Sequence, residues 1–432
     1  MPTIYQSATQ KVLETSRQLP PAPDWLQSKR EAARAHFERL GFPSTRDEEY
    51  KYTDVSPALE IEAKPLPSAY LNGKTALIAQ QLPFAQLEAH RVVFVDGHFS
   101  PALSQIGELP EGVVLSNLAT KIESGCEILP EHFGRLLPVE TDPFAALNTI
   151  FAQDGLYLRV PANVQIETPI HAVFVSTDGA TTYPRNLVML GNFAKASLFK
   201  SFISFDGARH FAVAATEIEL GEGAVLHHAK VGLESENAYH VGLTQIQVAR
   251  GARVVSHNAT FGGALVRNNS NAVFGGEGAE ATLNGIVLAG GTQLIDNHTV
   301  MDHAVPHCES HEHYAHILDD RATGVFNGKI FVRPDAQKTD AKQSNRTILL
   351  SPDATINAKP QLEIFADDVK CTHGATIGQL DQNALFYLRA RGVEAKTAHA
   401  ILIRAFAAEI LESLENEGLR EALEGEIEAR LG

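Results

Sequence analysis

The 432-residue sequence predicts a mainly β protein, a parallel β-helix core flanked by N-terminal and C-terminal helical domains. Three observations carry that expectation. A turn signal, an alanine and a strand-like run recur six times, in GNFAKASLF, GEGAVLHHA, ARGARVVSH, GEGAEATLN, DDRATGVFN and SPDATINAK. The alanines are Ala194, Ala224, Ala252, Ala279, Ala322 and Ala354, at steps of 30, 28, 27, 43 and 32 residues. Units of this size, made of short strands, suit a solenoid whose coils stack on one another. Secondly, the leucine-rich, ankyrin and tetratricopeptide patterns are missing there, as is helical periodicity. Thirdly, apolar residues do recur at helical spacing near both ends. Each coil is expected to bury a row of Val, Ile, Leu, Phe and Ala and to turn its polar residues outward. An antiparallel sandwich is the structural alternative.

Taken in order, residues 1–153 read as a mainly helical domain with short strands. Pro20, Pro21 and Pro23 break a first helix; Trp25, Ala32, Ala33, His36, Phe37 and Leu40 then recur at helical spacing until Gly41 and Pro43. RDEEYKYTD (46–54) reads as a solvated turn with packed tyrosines. From about 92, runs such as VVFVDG and GVVLSNL alternate with Pro-punctuated helical stretches. The β-helix is expected over 154–378, with MDHAVPHCESHEHYAHILDD as an inserted loop that fills the 43-residue step. Residues 379–432 turn helical. Asp381 can cap a helix through ALFYLRAR that ends at Gly392. A second helix puts Ala398, Ile401, Leu402, Ala405, Phe406, Ile410 and Leu414 on one face, and an acidic tail, EALEGEIEARLG, follows. Such a module either packs on the solenoid or offers a groove to another protein.

A net charge of −16 argues against a nucleic-acid groove and against docking on anionic lipid. The N-terminal MPTIYQSATQKVLETSRQLPP lacks the apolar core of a signal peptide, and no run of about eighteen apolar residues exists. Cys126, Cys308 and Cys371 are odd in number and far apart, which fits reduced thiols. A cytoplasmic protein is expected.

Common enzyme signatures fail. LNGKT (71–75) imitates a phosphate loop but has Ser68 where a Walker A glycine belongs. GEGAEA (276–281) should lead into a strand, and Glu277 would repel a pyrophosphate. Neither a G-x-S-x-G elbow nor an H-E-x-x-H helix is present. A β-helix polysaccharide lyase would need an export signal. His303, His307, Cys308, His311, His313 and His316 are dense enough to suggest a metal-dependent enzyme, but Pro306 breaks the helix that would align them. VKCTHGATIG (369–378) sets Cys371 two residues from His373. On a strand the two share a face and fill half of a four-ligand shell; the plain alternative is a core pair.

The run VFNGKIFVRPDAQKTDAKQSNRTILLSPDATINAKPQLEIFADDVKCTHGATIGQLDQNALFYLRARG resembles the SufB/SufD family of iron–sulfur cluster assembly proteins. PHCESHEHY, GFPSTRDEEYKYTD and AFAAEIL are similar to the same family, in the same order. The chain's length and its lack of additional cysteines near the last coils suit the SufD branch better than the longer SufB. The resemblance implies a right-handed parallel β-helix between helical ends. It implies a noncatalytic scaffold that pairs with a SufB-like paralogue, or with a second copy of itself when isolated. It also implies docking of a SufC-like ATPase through the C-terminal helices. His373 matches a family histidine at the subunit interface, where a nascent iron–sulfur cluster forms, and Cys371 matches a neighbouring cysteine. No cluster is expected to stay tightly bound to the isolated chain. A purely structural adaptor for the ATPase is the alternative.

Overall fold

The computed structural model describes residues 3–61 and 75–431, so most of LNGKT lies outside the described residues. Two ten-stranded sheets form the core, and the chain alternates between them. Val225–Leu233 pairs in parallel with Lys195–Ser204 and Arg253–Thr260 in the first sheet. Tyr239–Val248 pairs in parallel with Phe211–Leu220 and Leu265–Phe274 in the second. The result is a β-solenoid with helices at both ends of the chain. His90–Val95 and Val114–Asn117 extend the two sheets at the N-terminal end.

One recurring turn builds the coils. Phe193, Gly223, Gly251, Gly278, His307 and Lys338 have φ of 57, 62, 61, 71, 60 and 62°. Glycine bears this left-handed conformation most easily. The next residues are Ala194, Ala224, Ala252, Ala279, Cys308 and Thr339, all buried at the coil corner. The strands of the first sheet begin directly afterwards.

This register corrects the expected insertion. The 43-residue step is a change of column: Ala322 and Ala354 precede the second-sheet strands Thr323–Val332 and Thr355–Ile364. Cys308 continues the alanine column of the first sheet, and Glu309–Leu318 is a regular strand between Glu280–Ala289 and Asp340–Leu349. The histidine-rich segment is therefore strand, corner and strand.

The interior also departs from the expected apolar row. One part is apolar, with Leu226, Val254, Phe274, Met301, Phe326 and Ile330 packed together. The rest is polar and paired between coils. Lys200 Nζ donates to Thr216 Oγ1 at 2.6 Å, Lys230 to Asn268, and Asn268 Nδ2 to Asn297 Oδ1 at 3.0 Å. His228 is hydrogen-bonded to Ser256 at 2.8 Å and His316 to Asn345 at 3.0 Å. Burial pushes Lys200 down to about 7 and Lys230 to about 8. These side chains are tolerated inside because each finds a partner across its own coil or on a neighbouring one.

N-terminal helices Ile4–Ser16, Asp24–Leu40 and Pro143–Phe151 lie over the outer face of the second sheet, against Phe211, Val213, Val241 and Leu243. The RDEEYKYTD segment docks on that sheet too. Tyr50 is buried with the Arg267 guanidinium 3.9 Å from its ring centre, whereas Tyr52 is exposed. Thr53 Oγ1 donates to Asp296 Oδ2 at 2.6 Å, and His298 bridges Asp296 at 2.9 Å and Glu49 at 3.3 Å. Arg267 pairs with Asp296 at 2.6 Å.

Burial would raise the Asp296 carboxyl, but Arg267, His298 and Thr53 outweigh it and hold it down to about 2. Burial would likewise lower His298, yet Asp296 and Glu49 hold it above its ordinary value, against Arg267. The lowered carboxyl contributes stability that is lost as pH falls from about 4 towards 2. The raised imidazole contributes stability that is lost as pH rises through its folded value, above about 6.5. Hydrogen exchange should therefore show residues 48–54 best protected between those limits. His298→Gln should flatten the alkaline loss and leave the acid loss; equal alkaline loss in that variant would refute this account.

The C-terminal helices Gln382–Ala390, Ala395–Leu411 and Glu417–Leu431 cover the outer face of the first sheet. Asp381 Oδ1 accepts from the amides of Asn383 and Ala384, and Gly392 has φ 89°, as the sequence predicts. The buried stripe of the second helix is rotated from expectation. Ala398, Ile403, Ala407, Ile410 and Leu411 face the sheet, while Ile401 is exposed. The acidic tail is a helix that buries Leu419, Leu423 and Ile427.

Candidate functional site

Lys370–Gly378 and Thr355–Ile364 are the last strands of the two sheets, and among the described residues no further strand pairs with the outer edge of either. Ile364, Phe365 and Ile377 are exposed around this end. Cys371 and His373 both lie on Lys370–Gly378, opposite Ala341 and Gln343 in register. Ala341 is fully buried and Gln343 nearly so, which identifies the inward face of that strand. Cys371 packs against the apolar interior, and His373 follows it on the same face at the uncovered end. Burial pushes the Cys371 thiol up, and Asp340 adds to the shift. That thiol is consequently less acidic than a free one.

Among the described residues, no three His, Cys, Asp or Glu groups gather so as to hold one metal ion. Cys371 and His373 are two candidate donors on one strand, and a four-ligand shell built on them would take two more from elsewhere. The histidine-rich segment does not supply them. His303 is inside, hydrogen-bonded to Ser310 at 2.9 Å, and His316 is inside against Asn345. Cys308 sits in a corner, and His311 and His313 are on the opposite face of their strand from Glu312. Strand alternation disperses the group.

Glu312 belongs to the histidine-rich segment and Gln343 to the long run that carries the family resemblance, but the sequence singles out neither side chain. Burial pushes Glu312 up to about 7, and Gln343 donates its side-chain amide to it. The alternation of Ser310, Glu312, Tyr314 and His316 carries a strand signal, but their inward polarity hid it.

Two family models cover the chain in succession: the SufBD protein N-terminal region over residues 4–172, and the SufBD core domain of the SUF iron–sulfur cluster assembly system over 173–406. The chain belongs to the SufBD family. It is 31% identical to the iron–sulfur cluster assembly protein SufD of Escherichia coli over 407 residues, 92% of each chain. It is 33% identical to an iron–sulfur cluster assembly SufBD family protein of Synechocystis, over 90% of this chain and 87% of that one. SufD of Bacillus subtilis is 24% identical over 98% of both chains. SufBD membership assigns the chain to SUF iron–sulfur cluster assembly. No helix among the described residues is long and apolar enough to cross a membrane.

Proposed function

We propose that the chain is a noncatalytic, cytoplasmic scaffold subunit on which a nascent iron–sulfur cluster forms as cargo. The observation that carries this reading is the uncovered solenoid end, where Cys371 and His373 offer half a ligand shell beside two unpaired strand edges. Free edges and exposed Ile364, Phe365 and Ile377 favour a second subunit there, either a SufB-like paralogue or, in isolation, another copy. That subunit completes the shell. His373 serves as an iron ligand, and Cys371 as a secondary iron or sulfur ligand.

The C-terminal helices support the second half of the proposal. With one face spent on the solenoid, they leave a cleft of about 400 Å³ lined by Ile401, Arg404, Ala405, Ala408, Glu424 and Ile427. This is the docking surface for a SufC-like ATPase. Ile401→Glu should weaken ATPase binding at least tenfold and leave the fold intact, because Ile401 is exposed. Unchanged affinity would move the docking site elsewhere.

Anaerobic co-expression with SufB-like and SufC-like partners tests the whole reading. The expected product is one complex that carries iron and sulfide. Three proteins that purify separately would overturn it.

A further inference from the structure

Gln343 is a buried amide beneath His373 whose donor is engaged and whose acceptor is not. Gln343 is 3% exposed, and its Oε1 has no hydrogen-bond partner. Its Nε2 donates to Glu312 Oε2, so the orientation of the amide is set from below. A Cβ at position 328 would lie 2.4 Å from that Nε2, so Gly328 on the facing sheet makes the space the side chain occupies. Glu312, Gln343 and His373 are in register on three successive strands. Successive strands are about 4.8 Å apart, within reach of one side-chain hydrogen bond. An unsatisfied buried acceptor is costly, and a donor on the next strand would relieve that cost.

We propose that Gln343, held by Glu312, is a positioning residue: its Oε1 accepts the N–H of His373 and so fixes the imidazole tautomer. The other ring nitrogen then presents its lone pair away from the interior, towards the uncovered end. A ligating histidine commonly donates its second nitrogen in this way, and loss of the acceptor typically costs 10–100-fold in metal affinity. This inference rests on the reading of His373 as a ligand, but its test does not require a cluster.

The experiment is NMR of ¹⁵N-histidine-labelled full chain at about pH 8, where an ordinary imidazole is neutral. The His373 signals are those missing from His373→Ala. The expected wild-type result is one fixed tautomer, with one pyrrole-type and one pyridine-type nitrogen. Gln343→Leu should give averaged shifts, and Gln343→Glu, which keeps an acceptor oxygen, should restore the fixed tautomer. Glu312→Leu leaves Gln343 in place but frees its amide to turn, and should also mix the tautomers. Should Gln343→Leu fail to fold, Glu312→Leu decides alone. An averaged wild-type ring, or a fixed tautomer that survives Gln343→Leu or Glu312→Leu, would overturn the proposal. A fixed tautomer in a chain whose His373→Ala variant still assembles clusters normally would leave this geometry standing and refute the ligand role.

Discussion

His373→Ala should reduce cluster assembly in the three-protein complex by more than tenfold, while the isolated chain melts within about 1 °C of wild type. The stability half follows from position. The imidazole is exposed on the last strand, at the open end of the solenoid, so its loss opens no cavity and leaves the Gln343 carbonyl oxygen to water. The assembly half follows from the incomplete shell. Among the described residues no third metal-binding group stands near enough to replace the lost nitrogen. Pairing with the partner should persist, since one side chain rarely decides an interface carried by strand edges. His313→Ala, outside the solenoid on a different strand, is the control and should retain assembly. If the His373 variant assembles clusters at the normal rate, the chain is an adaptor and the chemistry sits on its partner.

Glu217→Ala should have the largest effect on stability, a loss of about 3–5 kcal/mol, read as the shift in a urea or thermal unfolding curve. Arg185 and Glu217 are 0% and 1% exposed and pair at 2.6 Å beneath the N-terminal region. Glu217 also accepts the backbone amides of Gly134 at 2.8 Å and Leu136 at 2.7 Å, which anchors the segment after the helix Leu129–His132. Arg185 stacks over Phe133 at 4.5 Å and donates to Asn148 at 3.1 Å. Removing the carboxylate strands a buried guanidinium and three amides together, that of Leu137 at 3.3 Å included. A double change of Arg185→Met with Glu217→Leu should recover the part of the loss that comes from the stranded guanidinium, because no charge is then left unpaired, while the part from the amides remains. A loss below about 1 kcal/mol for Glu217→Ala would mean that the pair is solvated in solution.

The solenoid was legible because its turns punctuate the sequence. Gly223–Ala224, Gly251–Ala252 and Gly278–Ala279 each combine a left-handed residue with a small corner residue. The pattern became illegible where His307–Cys308 and Lys338–Thr339 perform the same turn without glycine or alanine. That substitution made one regular coil look like an insertion. Interior polarity was hidden for a different reason. Lys200, Lys230 and Glu312 are acceptable inside only through partners 16, 38 and 31 residues away, and such pairings leave no local trace. The second C-terminal helix was found, but its buried face was misjudged at Ile401. Alanine and isoleucine occur nearly all round it, so composition does not single out one stripe.

The shared face of Cys371 and His373 was legible in the sequence; what lies beneath it was not. A cysteine two residues from a histidine on a strand implies a shared face, and Cys371 and His373 share one. Gln343 and Glu312 lie one and two coils below His373, and only the register of the folded sheet brings them under it.

The central claim is that His373 ligates iron at a subunit interface. Its most direct test is pulsed electron paramagnetic resonance of the reduced complex, assembled without oxygen from ¹⁵N-histidine-labelled chain and unlabelled partners. A ¹⁵N hyperfine coupling to the cluster that disappears in His373→Ala is the expected result. A cluster that shows no coupling to this chain's histidines, or one that keeps the coupling in the variant, would contradict it.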